Sequence, residues 1–478
     1  NGSGSQINAA NNGQSDVIGA QELKNEGILS LDLADKIKVK GGVKLDGELK
    51  ISADLANADF RKAVYKIINY GAALQSSAAV VNVVSGALFS SPAALDYGGY
   101  FAKWITLVLR GNLETTEFSS MSGLSYNQMQ TAQAFDALSK DASGDLDAVI
   151  SYIEGLDKAE IKEALYETSG FFIANAVRGA SLGQLKNVLF SRTQKQSSPS
   201  KNSKIWFSAG FADFEVSEDD EIKSDYSDSS SHIAAGYDVY AKDMFSVGVY
   251  AGHNSVLAKQ NGLYESDVSN TAFGFYGGYF DWDREFKAFV GGNFIKYHTV
   301  RALPFIERTA AADFNGNAVC ASFEGVYKIE VWHGVSFEPF LNLNALNSSY
   351  GNFKEKGAES LNLNVRKGDY FRSDISGGAS ILQSNPFYSW RLKAEGSFLL
   401  AGQSPEIESF FDGDETQRAF ISRGNEEDSF TFGISAYADL AISNSIKIYA
   451  GLSYRRGGQS QEFNMNGGFA CRFSSPVR

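Results

Sequence analysis

The sequence predicts a mainly β protein: a twelve-stranded antiparallel barrel preceded by a helical segment and a short, solenoid-like run of strands. Three observations carry this. From Lys204 onward, apolar and polar residues alternate in twelve segments. Aromatics make up 13% of the 478 residues, with 47 glycines and only 7 prolines, a composition suited to long uninterrupted strands. Finally, tight connections at residues 240–244, 281–285 and 442–445 contrast with long, polar, acidic ones at 216–230 and 402–428.

In chain order, residues 1–20 are rich in Asn, Gly, Ser and Gln and read as a lead-in. From Gly27 short alternating runs follow. Leu29, Leu31 and Leu33 form one, and Ile37/Val39, Val43/Leu45 and Leu49/Ile51 form the next three. Turn residues separate them closely, as in stacked solenoid strands, although no strict repeat is readable. Residues 64–69 and 100–110 read as two further strands.

From Ser125 to about Arg192 the period becomes helical. Met129, Ala132, Phe135 and Leu138 recur at that spacing, as do Ile161, Leu165 and Phe172, and later Leu182, Leu185, Leu189 and Phe190. Ser125 and Asp157 are the expected N-caps. Residues 193–203 are a polar link. The alternating segments then begin near Lys204, Ser231, Asp243, Asn270, Arg284, Phe314, Gly334, Tyr370, Tyr388, Ser429, Ser445 and Glu462.

Their faces are clearest near the end. Phe430, Phe432, Ile434, Ala436, Ala438 and Leu440 oppose Thr431, Gly433, Ser435, Tyr437 and Asp439. Ile446, Ile448, Ala450, Leu452 and Tyr454 oppose Lys447 and Arg455, and Trp390, Leu392, Ala394 and Phe398 oppose Arg391, Lys393, Glu395 and Ser397. Phe463, Met465, Phe469, Cys471 and Phe473 share the apolar face of the last segment. Periodicity alone fits either a soluble sandwich with this face inside or a membrane barrel with it outside. An even segment count favours the barrel. So do polar faces that mix Gly, Ser, Asn, Tyr and charge, and the alternation of tight and long connections.

Other classes are excluded. With 56 acidic against 43 basic residues, a net charge of −13 argues against sequence-independent nucleic-acid binding. Two cysteines, Cys320 and Cys471, cannot make a disulfide framework. His232, His253, His298 and His333 are scattered and belong to no metal motif, so no metal, cofactor or catalytic set is expected. The acidic runs 219–221 and 426–428 read as solvated loop charge rather than calcium sites. No stretch approaches 18 apolar residues, which excludes a helical membrane protein but not a barrel. The start, Asn1-Gly-Ser-Gly-Ser, has no export-signal pattern; the chain reads as a mature or trimmed piece, and nothing about export follows.

Several local patterns resemble the translocator end of monomeric (type Va) autotransporters. Leu124-Ser-Tyr-Asn-Gln128, Phe135-Asp-Ala-Leu138, Gly144-Asp-Leu-Asp-Ala-Val149, Leu156-Asp157, Ala164-Leu-Tyr-Glu167 and Phe190 resemble the linker before that family's barrel. Ile205-Trp206 resembles its first strand, and Val335-Ser-Phe-Glu-Pro-Phe340 a later strand start. Phe353-Lys-Glu-Lys-Gly-Ala358, Leu361-Asn-Leu363 and Arg372-Ser373 resemble the loop and strand that follow. Tyr65-Lys-Ile-Ile68 resembles the end of a passenger β-helix. Asn466, Gly468, Cys471 and Phe473 fit a C-terminal assembly signal, although Ser474 to Arg478 follow where the family usually ends.

The resemblance implies a passenger remnant over 1–124, a helical linker over 125–203 and a translocator barrel over 204–478. It implies a monomer in the bacterial outer membrane that delivers and anchors its own passenger at the cell surface. Its partners would be outer-membrane lipid, the barrel-assembly machinery and that passenger. With no ATP motif, the driving force would come from barrel assembly and passenger folding. The end of the linker would thread the lumen through Lys186, Arg192, Lys195 and Lys201. It would meet a wall lined by Arg391, Lys393, Glu395, Asp439, Lys447 and Arg455, with Glu395, Asp439 and Asp238 as acidic partners. The only Asn-Asn pair is Asn11-Asn12, far upstream, so self-cleavage inside the barrel is not expected. The alternative is a soluble secreted β-rich adhesin or binding protein.

Overall fold

The twelve alternating segments pair edge to edge into one closed antiparallel sheet in a computed structural model of the chain. It describes residues 117–140, 142–179, 204–216, 226–242, 244–260, 262–402 and 404–472, and the backbone of short strands between Gln6 and Leu109. The barrel strands are β1 (Lys204–Val216), β2 (Tyr226–Lys242), β3 (Phe245–Gln260), β4 (Tyr264–Phe280), β5 (Arg284–Leu303) and β6 (Arg308–Tyr327, resuming as Ile329–Trp332). Then come β7 (Val335–Tyr350), β8 (Gly368–Ser384), β9 (Tyr388–Ala401), β10 (Phe430–Ala441), β11 (Ile446–Arg456) and β12 (Ser460–Arg472). Each pairs with its chain neighbour, and β1 pairs with β12 from Lys204↔Arg472 to Val216↔Ser460, which removes both sheet edges.

The apolar face points outward. Phe275 is 65% exposed, Leu392 53% and Ile434 52%, and Phe432 and Ile448 join them. The polar and small residues point in. A water-exposed band of this size would be untenable, and in a bilayer the same band is the lipid contact. A closed sheet also satisfies every ladder hydrogen bond where no water is available.

Three strands start earlier than the alternation suggests: β2 at Tyr226, β4 at Tyr264 and β6 at Arg308. Above the lipid band their outward residues turn polar (Ser227 and Ser229, Glu265 and Asp267, Asp313), so the period-two signal fades while the ladder continues.

All turns at one end are tight: 243–244, 281–283, 333–334, 385–387 and 442–445. The other end is not uniformly long-looped, since residues 261–263, 304–307 and 457–459 connect strands closely there too. Its two long described connections fold onto each other. Phe353–Lys354, Leu363–Val365, Glu406–Phe411 and Phe420–Arg423 form a four-stranded antiparallel sheet.

A helical cap packs on that sheet and on the barrel mouth. It comprises α1 (Tyr126–Leu138), α2 (Gly144–Glu154), α3 (Lys158–Thr168) and α4, residues 171–179. Ser125 and Asp157 each close a capping box, with Gln128 and Glu160. Phe135 stacks on Phe411 with ring centroids 5.0 Å apart. No described helix is long and apolar enough to cross a membrane.

Upstream, short strands stack in parallel. Gln6–Asn8, Ile28–Asp32, Glu48–Ser52 and Val81–Val84 make one stack. Val17–Ala20, Lys36–Val39 and Val64–Tyr70 make a second, and Leu23–Asn25, Val43–Leu45 and Leu74–Ser76 a third. This is the pairing of a three-sided β-solenoid. Trp104–Leu109 and Ala93–Asp96 add to the second stack in antiparallel.

Candidate functional site: the barrel lumen

The lumen has two unlike walls. On the side formed by β5 to β12 the inward residues are charged and paired with one another. Lys287 contacts Glu285 at 3.2 Å and Glu324 at 2.9 Å. Lys393 contacts Glu395 at 3.0 Å and Glu324 at 3.9 Å. Arg455 reaches Glu395 at 2.6 Å and Glu462 at 3.7 Å, and Arg391 reaches Glu338 at 3.1 Å. Lys328 also pairs with Glu285, and Arg372 with Asp374 and, at 2.7 Å, with Glu427. In a partly dehydrated lumen such charges are tolerable only when compensated, and here they form a ladder up the wall.

On the side formed by β1 to β5 the inward residues are mostly neutral. Trp206 donates from Nε1 to Tyr276 Oη at 2.9 Å, and Tyr276 donates to Asp238 at 2.7 Å. Above them lie small residues and amides: Gly210, Ala212, Ala234, Asn254, Ala258 and Ala272.

Arg391, Lys393, Glu395, Asp439, Lys447 and Arg455 lie on the face of their strands opposite the exposed apolar residues. The acids expected to await a basic segment already have partners. Glu395 is held by Lys393 and Arg455, Asp439 lies 3.7 Å from Lys447, and Asp238 accepts from Tyr276. Lys186, Arg192, Lys195, Lys201 and Phe473 lie outside the described residues. Of the residues expected to form an assembly signal, Asn466 is buried inward, and Cys471 pairs with Ile205 and Ile446. At Gly468 a Cβ would collide with the Phe207 carbonyl and come within 2.6 Å of Tyr449 Oη. Tyr449 lies across that glycine and donates to the same carbonyl at 2.7 Å.

The histidines are dispersed. His232 faces the lumen and is buried. His298 faces outward on Asp313 at 2.8 Å, and His253 lies 3.4 Å from Thr271. Among the described residues no cluster of His, Cys, Asp or Glu could hold a metal ion. Of the acidic run 426–428, Glu426 is exposed, but the other two are not solvated loop charge: Glu427 pairs with Arg372 and accepts from Tyr370, and Asp428 accepts from the Gln459 and Ser460 amides. The run 219–221 lies outside the described residues.

The mouth is closed by interlocks among the cap, the barrel and the long connections that the sequence did not reveal. Arg301 and Glu355 form a two-pronged buried pair at 3.1 and 2.5 Å, and Arg301 also donates to the Glu167 and Leu361 carbonyls. Arg308 grips Asp145 at 2.7 and 2.9 Å, and Ser360 donates to the same carboxylate. Burial opposes the charge on Asp145, but these bonds hold its carboxyl below the usual range. Among the described residues the Glu167 carboxyl accepts only from the Phe305 amide, at 3.4 Å, and burial pushes it up to about 7 against the opposing pull of that bond and of Arg301.

Two asparagines act as backbone mimics at the edge strand Phe420–Arg423. Asn127 donates to the Arg423 carbonyl at 2.8 Å and accepts from its amide at 2.8 Å. Asn175 accepts from the Asn425 amide at 2.7 Å and donates to its side chain at 2.7 Å. Beyond them Arg178 is buried between the Phe214 and Tyr226 rings, 5.3 Å from each centroid.

Residues 205–453 match the family described as the autotransporter beta-domain. Among solved structures, the translocator domain of autotransporter NalP from Neisseria meningitidis is 12% identical, with a TM-score of 0.51. That match covers 63% of this chain and 97% of that one. The transport unit of AIDA-I from Escherichia coli is 14% identical over 64% of this chain and 99% of that one, with a TM-score of 0.46. The β domain of the Bordetella autotransporter BrkA is 14% identical over 57% and 100%, with a TM-score of 0.43. No curated protein matches the chain.

Proposed function

This chain belongs to the autotransporter β-domain family, and from that premise we propose that residues 180–203 cross the barrel lumen and tether a surface-exposed passenger. The family makes the chain an outer-membrane translocator of type V secretion. The barrel closes within one chain, and its outward apolar band does not suit the soluble adhesin alternative.

One observation carries the crossing: the two described ends of the linker lie at opposite ends of the barrel. Gly179 sits inside the capped mouth, where a Cβ would come within 2.6 Å of Tyr226 Oη and 3.1 Å of Asp228. Lys204 opens β1 at the tight-turn end, opposite Arg472. From Phe214, level with Arg178, down to Lys204 is roughly 33 Å of strand. The intervening chain reaches about 36 Å as helix and more when extended.

In this reading residues 1–124 end a passenger, 125–203 link it, and 204–478 are the barrel. The stacked strands support the first assignment, and the mouth interlocks support an outward-facing cap. The passenger stands at the cell surface, lipid contacts the outward band, and the barrel-assembly machinery reads the last strand. The chain works by transport, driven by barrel assembly and passenger folding, and not by catalysis.

Deleting residues 125–203 tests this. The barrel should still shift mobility on boiling, and its single-channel conductance should rise severalfold. Unchanged conductance would mean that the segment never occupied the lumen.

A further inference from the structure

We propose that a hollow in the outer wall of β2 to β5, just above the lipid band, binds the phosphorylated sugar headgroup of an outer-leaflet glycolipid: Lys296 takes the phosphate, and Ser231, Ser255 and Ser269 take the sugar hydroxyls. The proposal rests on the reading that the capped mouth faces out of the cell, which puts this level of the barrel in the outer leaflet.

The hollow follows from strand register. Ser231 pairs with Ser255, Ser255 with Ser269, Ser269 with Lys296, and Lys296 with Asn315. All five are exposed on the outward face of β2 to β6. At about 4.8 Å per strand the row is roughly 19 Å long. Three neighbouring serines leave a depression where the shell elsewhere carries large side chains. Its volume of about 540 Å³ is that of a small-ligand pocket. Phe211 borders it on the β1 side, opposite Ser231.

Depth selects the ligand. Toward the tight-turn end the same strands present Ile233 and Phe294, then Phe273 and Val319, all exposed and apolar. A molecule whose acyl chains lie on that band brings its headgroup to the serine row, and a free sugar would lack that second contact. On β9 and β10 the outward face stays apolar as far as Leu400 and Phe430, so this polar step does not ring the barrel.

Charge selects the headgroup. Lys296 has no partner among the described residues, unlike Lys287 and Lys393 in the lumen. An unpaired ammonium at the edge of the lipid is placed for a charge-assisted bond to phosphate. One row higher the acids begin, and two of the three are occupied. Asp213 accepts from Ser229 at 2.6 Å, and Asp313 faces His298 at 2.8 Å. The third, Asp267, is exposed, and its carboxylate accepts from sugar hydroxyls.

The test uses the full chain in detergent micelles doped with lipid A, a phosphorylated glucosamine lipid, and counts lipid retained per barrel by native mass spectrometry. Lys296→Glu and, separately, Ser255→Phe should each lower retention severalfold, the first by charge and the second by filling the hollow. Both sites are on the surface, and heat-shifted mobility shows that the variant barrels close. Arg456→Glu, exposed at the top of β11, should retain lipid A as the native chain does. Native-like retention by Lys296→Glu overturns the hollow. So does equal loss in Arg456→Glu, or retention of phosphatidylglycerol as strong as that of lipid A. Labelling of Lys140→Cys in the cap by an impermeant maleimide on intact cells reports orientation separately. Label without the lipid differences overturns the hollow alone, and absence of label overturns the outward cap and the proposal with it.

Discussion

The lipid-facing shell and the capped mouth of the barrel are both well packed, yet they rely on different physics. On the shell, Phe432, Ile434, Leu392 and Phe275 need only be apolar and outward, and any similar residue would serve. At the mouth each contact is individual. Arg301 bonds Glu355 and two carbonyls, Asp145 is held by both Arg308 and Ser360, and Asn127 pairs with Arg423. A generic surface suits a solvent without preferences. A closure that joins segments far apart in sequence needs specific partners. The two regions should therefore respond differently to conservative and disruptive changes.

The largest effect is expected at the mouth. Both members of the Arg301–Glu355 pair have side chains only 2% exposed. Glu355→Ala would leave a buried guanidinium without its counter-charge, at a cost of about 3–5 kcal/mol to cap docking. Limited proteolysis should then cut α3 readily while the barrel keeps its heat-shifted mobility. An undisturbed cap would mean that the pair does not hold the mouth.

Next is the shell. Phe432→Arg puts a charge into lipid and should cost roughly 2–4 kcal/mol near mid-membrane, read by equilibrium unfolding from vesicles. Phe432→Leu should be nearly neutral. At Gly433, one residue on, the face reverses: a Cβ would lie 3.3 Å from Glu395, so Gly433→Arg should act by crowding and change conductance. If a lipid-phase spin relaxant reached Lys447 and not Ile448, the facing would be inverted.

The shell was the legible half. Alternation alone located all twelve strands, and in the structure Lys447, Arg455, Lys393 and Glu395 sit opposite the exposed apolar residues of their strands. Strand starts were missed where the lipid ended, because Ser229, Asp267 and Asp313 carry no apolar contrast. The capping boxes at Ser125 and Asp157 were local and therefore readable. The mouth was not. Leu363–Val365 and Glu406–Phe411 are short strands that pair across a long separation, and residues 402–428 read as acidic loop for that reason. Likewise the charges of the lumen were visible, but not that they neutralise one another, since Lys287 with Glu324 and Arg391 with Glu338 join different strands.

A pH effect sharpens the comparison, since it should appear at the mouth alone. Glu167 is buried in α3 and raised from 4.5 to about 7. A carboxyl raised on folding favours the docked state when protonated, and that advantage is lost as pH climbs from about 4.5 through 7. Above pH 7 the ionised group should weaken docking by at most about 3 kcal/mol. Glu167→Gln should therefore tighten the cap at pH 8 and change little at pH 5, with protease sensitivity of α3 as the readout. Equal gains at both values would mean that the carboxyl does not titrate there.

The smallest effect tests whether the mouth contacts are as individual as their geometry. Asn127 supplies the Arg423 amide with an acceptor and its carbonyl with a donor, both at 2.8 Å. Phe420–Arg423 is an edge strand, so nothing else in the sheet bonds that side. Asn127→Ala strands both groups, but the site is part-buried and water can replace some of what is lost, so roughly 1 kcal/mol is expected. Asn127→Asp separates the two bonds: it keeps the acceptor for the amide and removes the donor to the carbonyl. Hydrogen exchange at the Arg423 amide should then stay slow in Asn127→Asp and accelerate in Asn127→Ala. A generic packing role would accelerate neither or both alike, and the mouth would then resemble the shell more than its geometry implies.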